Sequence, residues 1–229
     1  MVSVENHLIE LLTRKDRLRF LALCEPVALV LADVLSEPGQ PTRHLYFPTE
    51  GFISVVSLIE GSPGVEVGMV GREGMLGAHV ALGVVIAPLR ALVQGEGQAW
   101  RISTRAFRGE LATSASLQRS LNRYLYVLMA QLAESAACVR FHLIGQRLAR
   151  WLLMSQDRSH SDSFKVTHEF LAYMLGVRRV GITAAAGALQ RGGVIEYRHG
   201  HVRVLDRGLL EAAACGCYAA DQRAYANLL

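Results

Sequence analysis

The chain has 229 residues, 51% of them hydrophobic and 19% charged; this length suits two domains of roughly 100–200 residues each, and the composition is that of a globular chain rather than a disordered one. The formal net charge of +4 is unevenly placed: residues 1–136 hold 12 Lys and Arg against 13 Asp and Glu, whereas residues 137–229 hold 12 against 7, a net of +5. A basic C-terminal half suits a polyanionic partner such as double-stranded DNA. Charges interrupt every apolar stretch of about 18 residues, so no transmembrane helix and no membrane partner are expected. The start, Met1 to Leu12, carries Glu5 and Glu10 and lacks a basic leader region, which argues against a signal peptide and for a cytoplasmic location. Cys24, Cys138, Cys215 and Cys217 are too few and too scattered for a disulfide framework.

In chain order, residues 5–35 read as helical and then mixed, with Leu8, Leu11, Leu12 and Leu18 amphipathic and an apolar run from Val27 to Leu35. Glu37-Pro38-Gly39 and Pro41 break that pattern. Short strands are then expected at 45–47, 52–59, 65–70, 91–94 and 99–102, with a turn at Gly61-Ser62-Pro63-Gly64. Closely spaced strands point to a β-sandwich or barrel. Within them, Gly71 to Gly77 (GREGMLG) is a glycine-spaced loop with two open readings: an anion cradle built from backbone N–H groups, or simply a turn.

Ser103 caps a short helix with Phe107 and Leu111, and a long helix follows to about Cys138. Its Leu121, Leu125, Leu128 and Leu132 recur at spacings of 4, 3 and 4, a mean period near 3.5. At about 1.5 Å rise per residue, such a helix reaches roughly 36 Å. It reads either as a dimerisation helix or as a central core helix. Residues 141–154 continue as an amphipathic helix, and 155–163 (SQDRSHSDS) read as a loop.

The stretch from Thr167 to Arg191 holds two helical patterns about Gly176. Thr167 caps the first, and the second runs from about Arg178 to Gln190 with Ile182, Ala185, Ala186 and Leu189 inward and Arg178, Arg179 and Thr183 outward. This is the layout of a helix-turn-helix, or on these residues alone of a plain αα-hairpin. Two short strands follow, 194–197 and 202–205, around Arg198-His199-Gly200-His201; such a basic hairpin makes the unit a winged helix and favours DNA binding.

The order of parts, together with Phe47-Pro48-Thr49-Glu50-Gly51, Val70-Gly71-Arg72-Glu73-Gly74-Met75, Gln146-Arg147-Leu148-Ala149-Arg150-Trp151-Leu152-Leu153 and Met174-Leu175-Gly176-Val177-Arg178-Arg179, resembles the Crp/Fnr family of transcription regulators over nearly the whole chain. The resemblance implies an α+β chain. Residues 1–112 would form a cyclic-nucleotide-binding-like β-roll of jelly-roll type, 113–138 a long dimerisation helix and 139–229 a winged helix-turn-helix domain. It implies a homodimer on palindromic DNA, with RNA polymerase as a further partner. Arg179 matches the family's guanine-pairing arginine, and Arg178 and Thr183 stand beside it as base contacts. Thr167 and His168 match phosphate-contacting positions; His199, His201 and Arg203 lie at the wing.

The sequence departs from the cyclic-AMP-responsive members in the recognition helix and in the ligand pocket, where Glu73-Gly74 also reverses the expected Gly-Glu order. Val180 and Ala184 replace a glutamate and a second arginine of the recognition helix, and Ala87-Pro88 replaces the Arg-Ser pair that holds the cyclic phosphate. Cyclic AMP is therefore not expected as the effector, which is left unidentified; its candidate pocket comprises Glu73, Gly74, Gly77 and Arg90. No cofactor or metal is expected, and no catalytic motif is present. The rival reading is a small-molecule- or metal-binding β-barrel without DNA specificity, but its strands offer only His44 and His79. Cys215 and Cys217 are open to two readings, reduced buried thiols or zinc ligands joined by His199 and His201.

Overall fold

A computed structural model describes residues 6–60 and 64–229; residues 1–5, with Glu5, and positions 61–63 of the expected turn lie outside the described residues. The chain forms two compact units, one of Met1–Val55, Met69–Ala130 and Ala224–Leu229, the other of Val56–Gly68 and Gln131–Arg223.

In the first unit, Asn6 and Thr13 cap two short helices, α1 (His7–Glu10) and α2 (Arg14–Leu21). The mixed apolar run beyond them resolves into strands β1 (Glu25–Leu29) and β2 (Val34–Ser36), parted by Ala32 at φ 70°. Strands β3 (His44–Pro48), β4 (Phe52–Ser57), β5 (Val65–Val70), β6 (Arg90–Gly95) and β7 (Gly97–Ser103) follow, each overlapping an expected strand, with residues 56–57 of β4 and 65–68 of β5 counted in the second unit. One sheet has the order β1-β7-β3 and the other β2-β6-β4-β5. Their inward residues, among them Leu29, Ile53, Val70, Ala91, Val93 and Ala99, make one core.

A second core gathers Leu8, Phe20, Phe47, Phe107, Leu117, Leu121 and Tyr124, with Phe20 and Phe47 edge to face at 5.2 Å. It joins the sheets to α3 (Thr104–Thr113), capped by Ser103, and to the start of α4 (Ala115–Phe141). Helix α4 is longer than the spacing alone suggested. Leu121 is buried in this core, Leu125 and Leu128 pack at its margin, and Leu132 is 49% exposed. Met129 and Val139 are also exposed, at 70% and 53%, so the outward apolar row is Leu125, Met129, Leu132, Ala136 and Val139.

The second unit contains α5 (Ile144–Ser159), β8 (Ser163–Lys165), α6 (His168–Leu175), α7 (Arg179–Arg191), β9 (Ile195–Arg198), β10 (His201–Val204), α8 (Arg207–Ala213) and, as far as Arg223, α9 (Cys217–Leu228). Most of the segment expected as a loop at 155–163 is helix. Its polar side chains are internally bonded: the Ser155 hydroxyl donates to the Trp151 carbonyl at 2.9 Å, and Gln156 Nε2 donates to Asp162 at 2.7 Å. Polarity marked a loop in the sequence, but these groups are satisfied inside the helix. Strand β8 then pairs with β10, so the wing is a three-stranded sheet in the order β8-β10-β9.

The glycine loop 71–77 packs into the first unit. The Tyr124 hydroxyl accepts from the Met75 N–H at 3.1 Å and donates to the Met75 carbonyl at 3.2 Å, and Asn6 Nδ2 donates to the Gly74 carbonyl at 2.9 Å. A Cβ on Gly74 would lie 2.2 Å from that hydroxyl. Tyr124→Phe leaves both Met75 groups unsatisfied in a buried place and is expected to lower stability by about 1–3 kcal/mol. Gly74→Ala is expected to cost at least as much through overpacking. Urea denaturation checks both, and an unchanged midpoint in either variant would contradict the packing described.

Candidate nucleic-acid interface

Helix α6 starts at Thr167, whose hydroxyl accepts from the Phe170 N–H at 3.1 Å. It ends at Gly176, whose φ of 62° lies in the left-handed region that a side chain disfavours. Val177 N–H reaches back to the Ala172 carbonyl, and Arg178, in extended conformation, is the N-cap of α7. Leu171, Met174 and Leu175 of α6 are buried, as are Ile182, Ala186 and Leu189 of α7. Helix α5 packs with both: Leu148, Leu152 and Leu153 are buried, and the Arg147 guanidinium donates to the Leu175 carbonyl at the end of α6.

With that face of α7 inward, the opposite face is displayed. Arg178, Arg179, Val180, Thr183 and Ala184 are all exposed at its N-terminal end. Thr183 is less free than its spacing implied. Its hydroxyl donates to the Arg179 carbonyl at 3.1 Å and lies 3.1 Å from His168 Nδ1, so the oxygen accepts an Nδ1–H and the methyl remains for an outside contact. His168 also stacks on Tyr197 of β9, with ring centroids 4.3 Å apart and planes at 27°. The Tyr197 hydroxyl donates to the Val166 carbonyl at 2.8 Å, and its backbone N–H donates to Gln190 at 3.2 Å. This His168–Thr183–Tyr197 cluster locks helix-turn-helix to wing. Sequence reasoning missed Tyr197 and Gln190, whose only signal was a tyrosine on an alternating strand.

The wing turn places His199 and Gly200 at φ 50° and 77°, the positive pair of a tight two-residue hairpin. Strand β10 alternates, with Val202 and Val204 inward and His201 and Arg203 exposed. Arg198 pairs with Glu196 at 2.9 Å.

The candidate effector residues are dispersed in the first unit. Glu73 accepts from the Gly71 N–H, Gly74 is held against Tyr124, and Arg90 is bound to Glu37 at 2.9 Å. A cavity of about 270 Å³ is lined by Glu37, Thr42, His44, Gly77, His79 and Ala87 among others. His79 Nε2 lies 2.8 Å from the Thr42 hydroxyl, and burial pushes its pKa down, which favours the neutral ring. Among the described residues, His44 and His79 belong to no group of three or more metal-ligating side chains. Cys215 and Cys217 are buried with Cys138 beside the half-buried His142, not with His199 and His201.

Residues 146–213 match the family profile of the Crp-like helix-turn-helix domain. This part of the chain carries a Crp-like helix-turn-helix domain. Solved structures extend the likeness to the fold of the rest. FixK2 of Bradyrhizobium japonicum aligns with a TM-score of 0.70 and 11% identity over 84% of this chain and 98% of its own. The c-di-GMP-responsive regulator CLP of Xanthomonas campestris aligns at 0.69 and 17% over 85% and 100%, and a CRP-family regulator of Thermus thermophilus at 0.69 and 21% over 82% and 96%. No curated protein matches the sequence. The protein thus has the Crp/Fnr regulator fold: an α+β chain with an N-terminal β-rich domain, a long helix and a Crp-like C-terminal domain. No helix among the described residues is long and apolar enough to cross a membrane.

His168 carries a pH consequence for the Crp-like domain. Burial, and secondarily the Arg179 charge, hold its pKa below the ordinary 6.5. Its Nε2 is buried without a partner, so a proton there would add an unpaired charge. The unfolded chain therefore takes up this proton first, and the contribution to stability is expected to fall as pH drops below 6.5 toward the folded pKa. An NMR titration of the His168 ring giving 6.5 or above would contradict this arrangement.

Proposed function

We propose that the protein is a cytoplasmic, homodimeric, sequence-specific transcription regulator that binds a palindromic DNA site through α7 and responds to an effector other than cyclic AMP. The observation that carries the reading is the display of Arg178 and Arg179 at the exposed start of α7, beside a wing presenting His199, His201 and Arg203. Two such helices from a dimer enter successive major grooves about one helical turn apart. Arg179 uses its fork to bond O6 and N7 of a guanine. Arg178 and the Thr183 methyl contact neighbouring bases, while Thr167, at the α6 N-terminus, meets phosphate. His168 acts as a neutral spacer that orients Thr183. Val180 and Ala184 leave the readout sparse, and contacts with RNA polymerase convert binding into regulation.

Dimerisation uses the outward row of α4, in which Leu125 and Leu132 are joined by Met129, Ala136 and Val139, with Leu128 at the margin of the core, while Leu121 serves the core of its own unit. Independence from cyclic AMP is supported by Ala87 at the cavity wall where the resemblance expects an arginine, and by the engagement of Arg90 with Glu37. An unpaired guanidinium would add a charge-assisted bond to a cyclic phosphate worth about 1.5–3 kcal/mol.

Binding-site selection with purified protein is expected to return a palindrome unaffected by cyclic AMP; absence of any DNA preference would refute the reading. Arg179→Ala is expected to cost about 1–3 kcal/mol at one base position of each half-site and relax preference there. Equal weakening on every sequence would make Arg179 a phosphate contact instead. Met129→Glu combined with Leu132→Glu is expected to give monomers in sedimentation with little change in monomer fold, whereas a persistent dimer would place the interface elsewhere.

A further inference from the structure

The second unit holds a cluster that DNA recognition does not use. Cys138 lies near the end of α4, and His142 follows four residues later at the bend into α5. Cys215 stands in the turn between α8 and α9, and Cys217 is the first residue of α9. The four ligating atoms all lie within 4.8 Å of one another. Cys138 Sγ is 3.6 Å from Cys215 Sγ, and Cys217 Sγ is 3.5 Å from His142 Nδ1.

The two shorter separations match the edges of a tetrahedron around a single ion, and the remaining atoms lie within about an ångström of that geometry. Bond lengths of about 2.3 Å to sulfur and about 2.0–2.1 Å to nitrogen require S···S near ~3.8 Å and S···N near ~3.5 Å. A disulfide would need its sulfurs about 2.05 Å apart, and the four cysteines are free. An iron–sulfur cluster distributes its ligands over separate irons and spreads them more widely.

The surroundings suit thiolates. The three cysteines are buried together, and the guanidiniums of Arg147 and Arg150, each 8% exposed, lie beside them. Arg150 bonds Asp221 at 2.6 Å, yet its Nε is buried without a hydrogen-bond partner among the described residues. Hydrophobic packing accounts for three clustered cysteines but not for an imidazole and two buried cations around them. Cys217 at the first position of α9 also faces the positive end of that helix dipole.

We propose that Cys138, His142, Cys215 and Cys217 bind one thiophilic divalent cation of the zinc class in a closed tetrahedral Cys3His site. Three thiolates and a neutral imidazole donate four lone pairs to the cation, the remaining thiol protons pass to solvent, and nothing is oxidised or reduced. The formal charge of −1 on the occupied site is balanced by the adjacent guanidiniums. Soft sulfur ligands disfavour magnesium and calcium, and four protein ligands leave no open position for catalysis. The ion pins the end of α4 to the α8–α9 turn. Its binding is independent of whether the protein reads DNA as proposed above.

The test uses the full chain purified without chelator under reducing conditions, with metal measured by mass spectrometry, then stripped and titrated with zinc or cobalt(II). The expected result is one equivalent per chain, and with cobalt the intense visible bands of tetrahedral coordination together with thiolate-to-metal charge transfer. Cys138→Ser and Cys217→Ser are expected to weaken binding at least ten-fold, whereas Cys24→Ala, in the other unit, leaves the stoichiometry unchanged. Cys217→His, which keeps a ligand, is expected to retain cobalt binding, and the wild-type cobalt spectrum decides the matter even where a serine variant misfolds. Absence of a tetrahedral cobalt spectrum, iron with acid-labile sulfide, or a Cys138–Cys215 disulfide in protein isolated under non-reducing conditions would each overturn the proposal.

Discussion

The second unit depends on the burial of polar side chains along α5. Arg147, Arg150, Ser155, Gln156 and Arg158 are each at most 8% exposed, although they share the helix with the apolar Leu148, Leu152 and Leu153. A buried guanidinium without partners costs several kcal/mol; Ser155 and Arg158 find acceptors one turn back in α5, whereas Arg147, Arg150 and Gln156 are answered from elsewhere in the fold. Those answers specify the architecture. Arg147 takes the carbonyl that ends α6, Arg150 takes Asp221 of α9, and Gln156 meets both Asp162 and Arg207. Arg207 in turn pairs with Asp157, which accepts the Tyr218 hydroxyl. An apolar helix could slide against its neighbours at little cost, but this one has a single register in which its charges are satisfied.

That register sets what α7 shows to the outside. Once Ile182, Ala186 and Leu189 face α5, helical periodicity leaves Arg178, Arg179, Val180, Thr183 and Ala184 exposed. The His168–Thr183–Tyr197 cluster then couples this helix to the wing through a neutral stacked ring, so the distance between recognition helix and hairpin is held by packing rather than by ion pairs that salt would screen. The cysteine cluster lies where α4 meets α5 and α8 meets α9, and Arg147, which stands beside it, also holds the carbonyl that ends α6.

The helix-turn-helix was legible because its signals are local: a capping threonine, a glycine at the turn and apolar residues at helical spacing. The strands at 45–47, 65–70 and 99–102 were legible for the same reason. The helical part of 155–163 was not, because Ser155, Gln156 and Asp157 look like loop residues until their partners, some more than 50 positions away, are in place. The seam of α4 was half legible. A spacing of 4, 3, 4 identifies a stripe but does not say whether it faces the chain's own core, and Leu121 and Met129 exchanged places for that reason.

The glycine loop and the cysteines make the same division. The sequence by itself determined the order of elements, the basic C-terminal half and the two arginines at the head of α7, since all of these reside in residue type and short-range spacing. Only the tertiary structure decided that loop 71–77 is wedged against Tyr124 rather than open to an anion, and that Thr183 gives its hydroxyl to the protein's own backbone. It also decided that the partners of Cys215 and Cys217 are Cys138 and His142, roughly 75 positions earlier. Such pairings depend on which surfaces are removed from water together, and no periodicity in one segment carries that information about another.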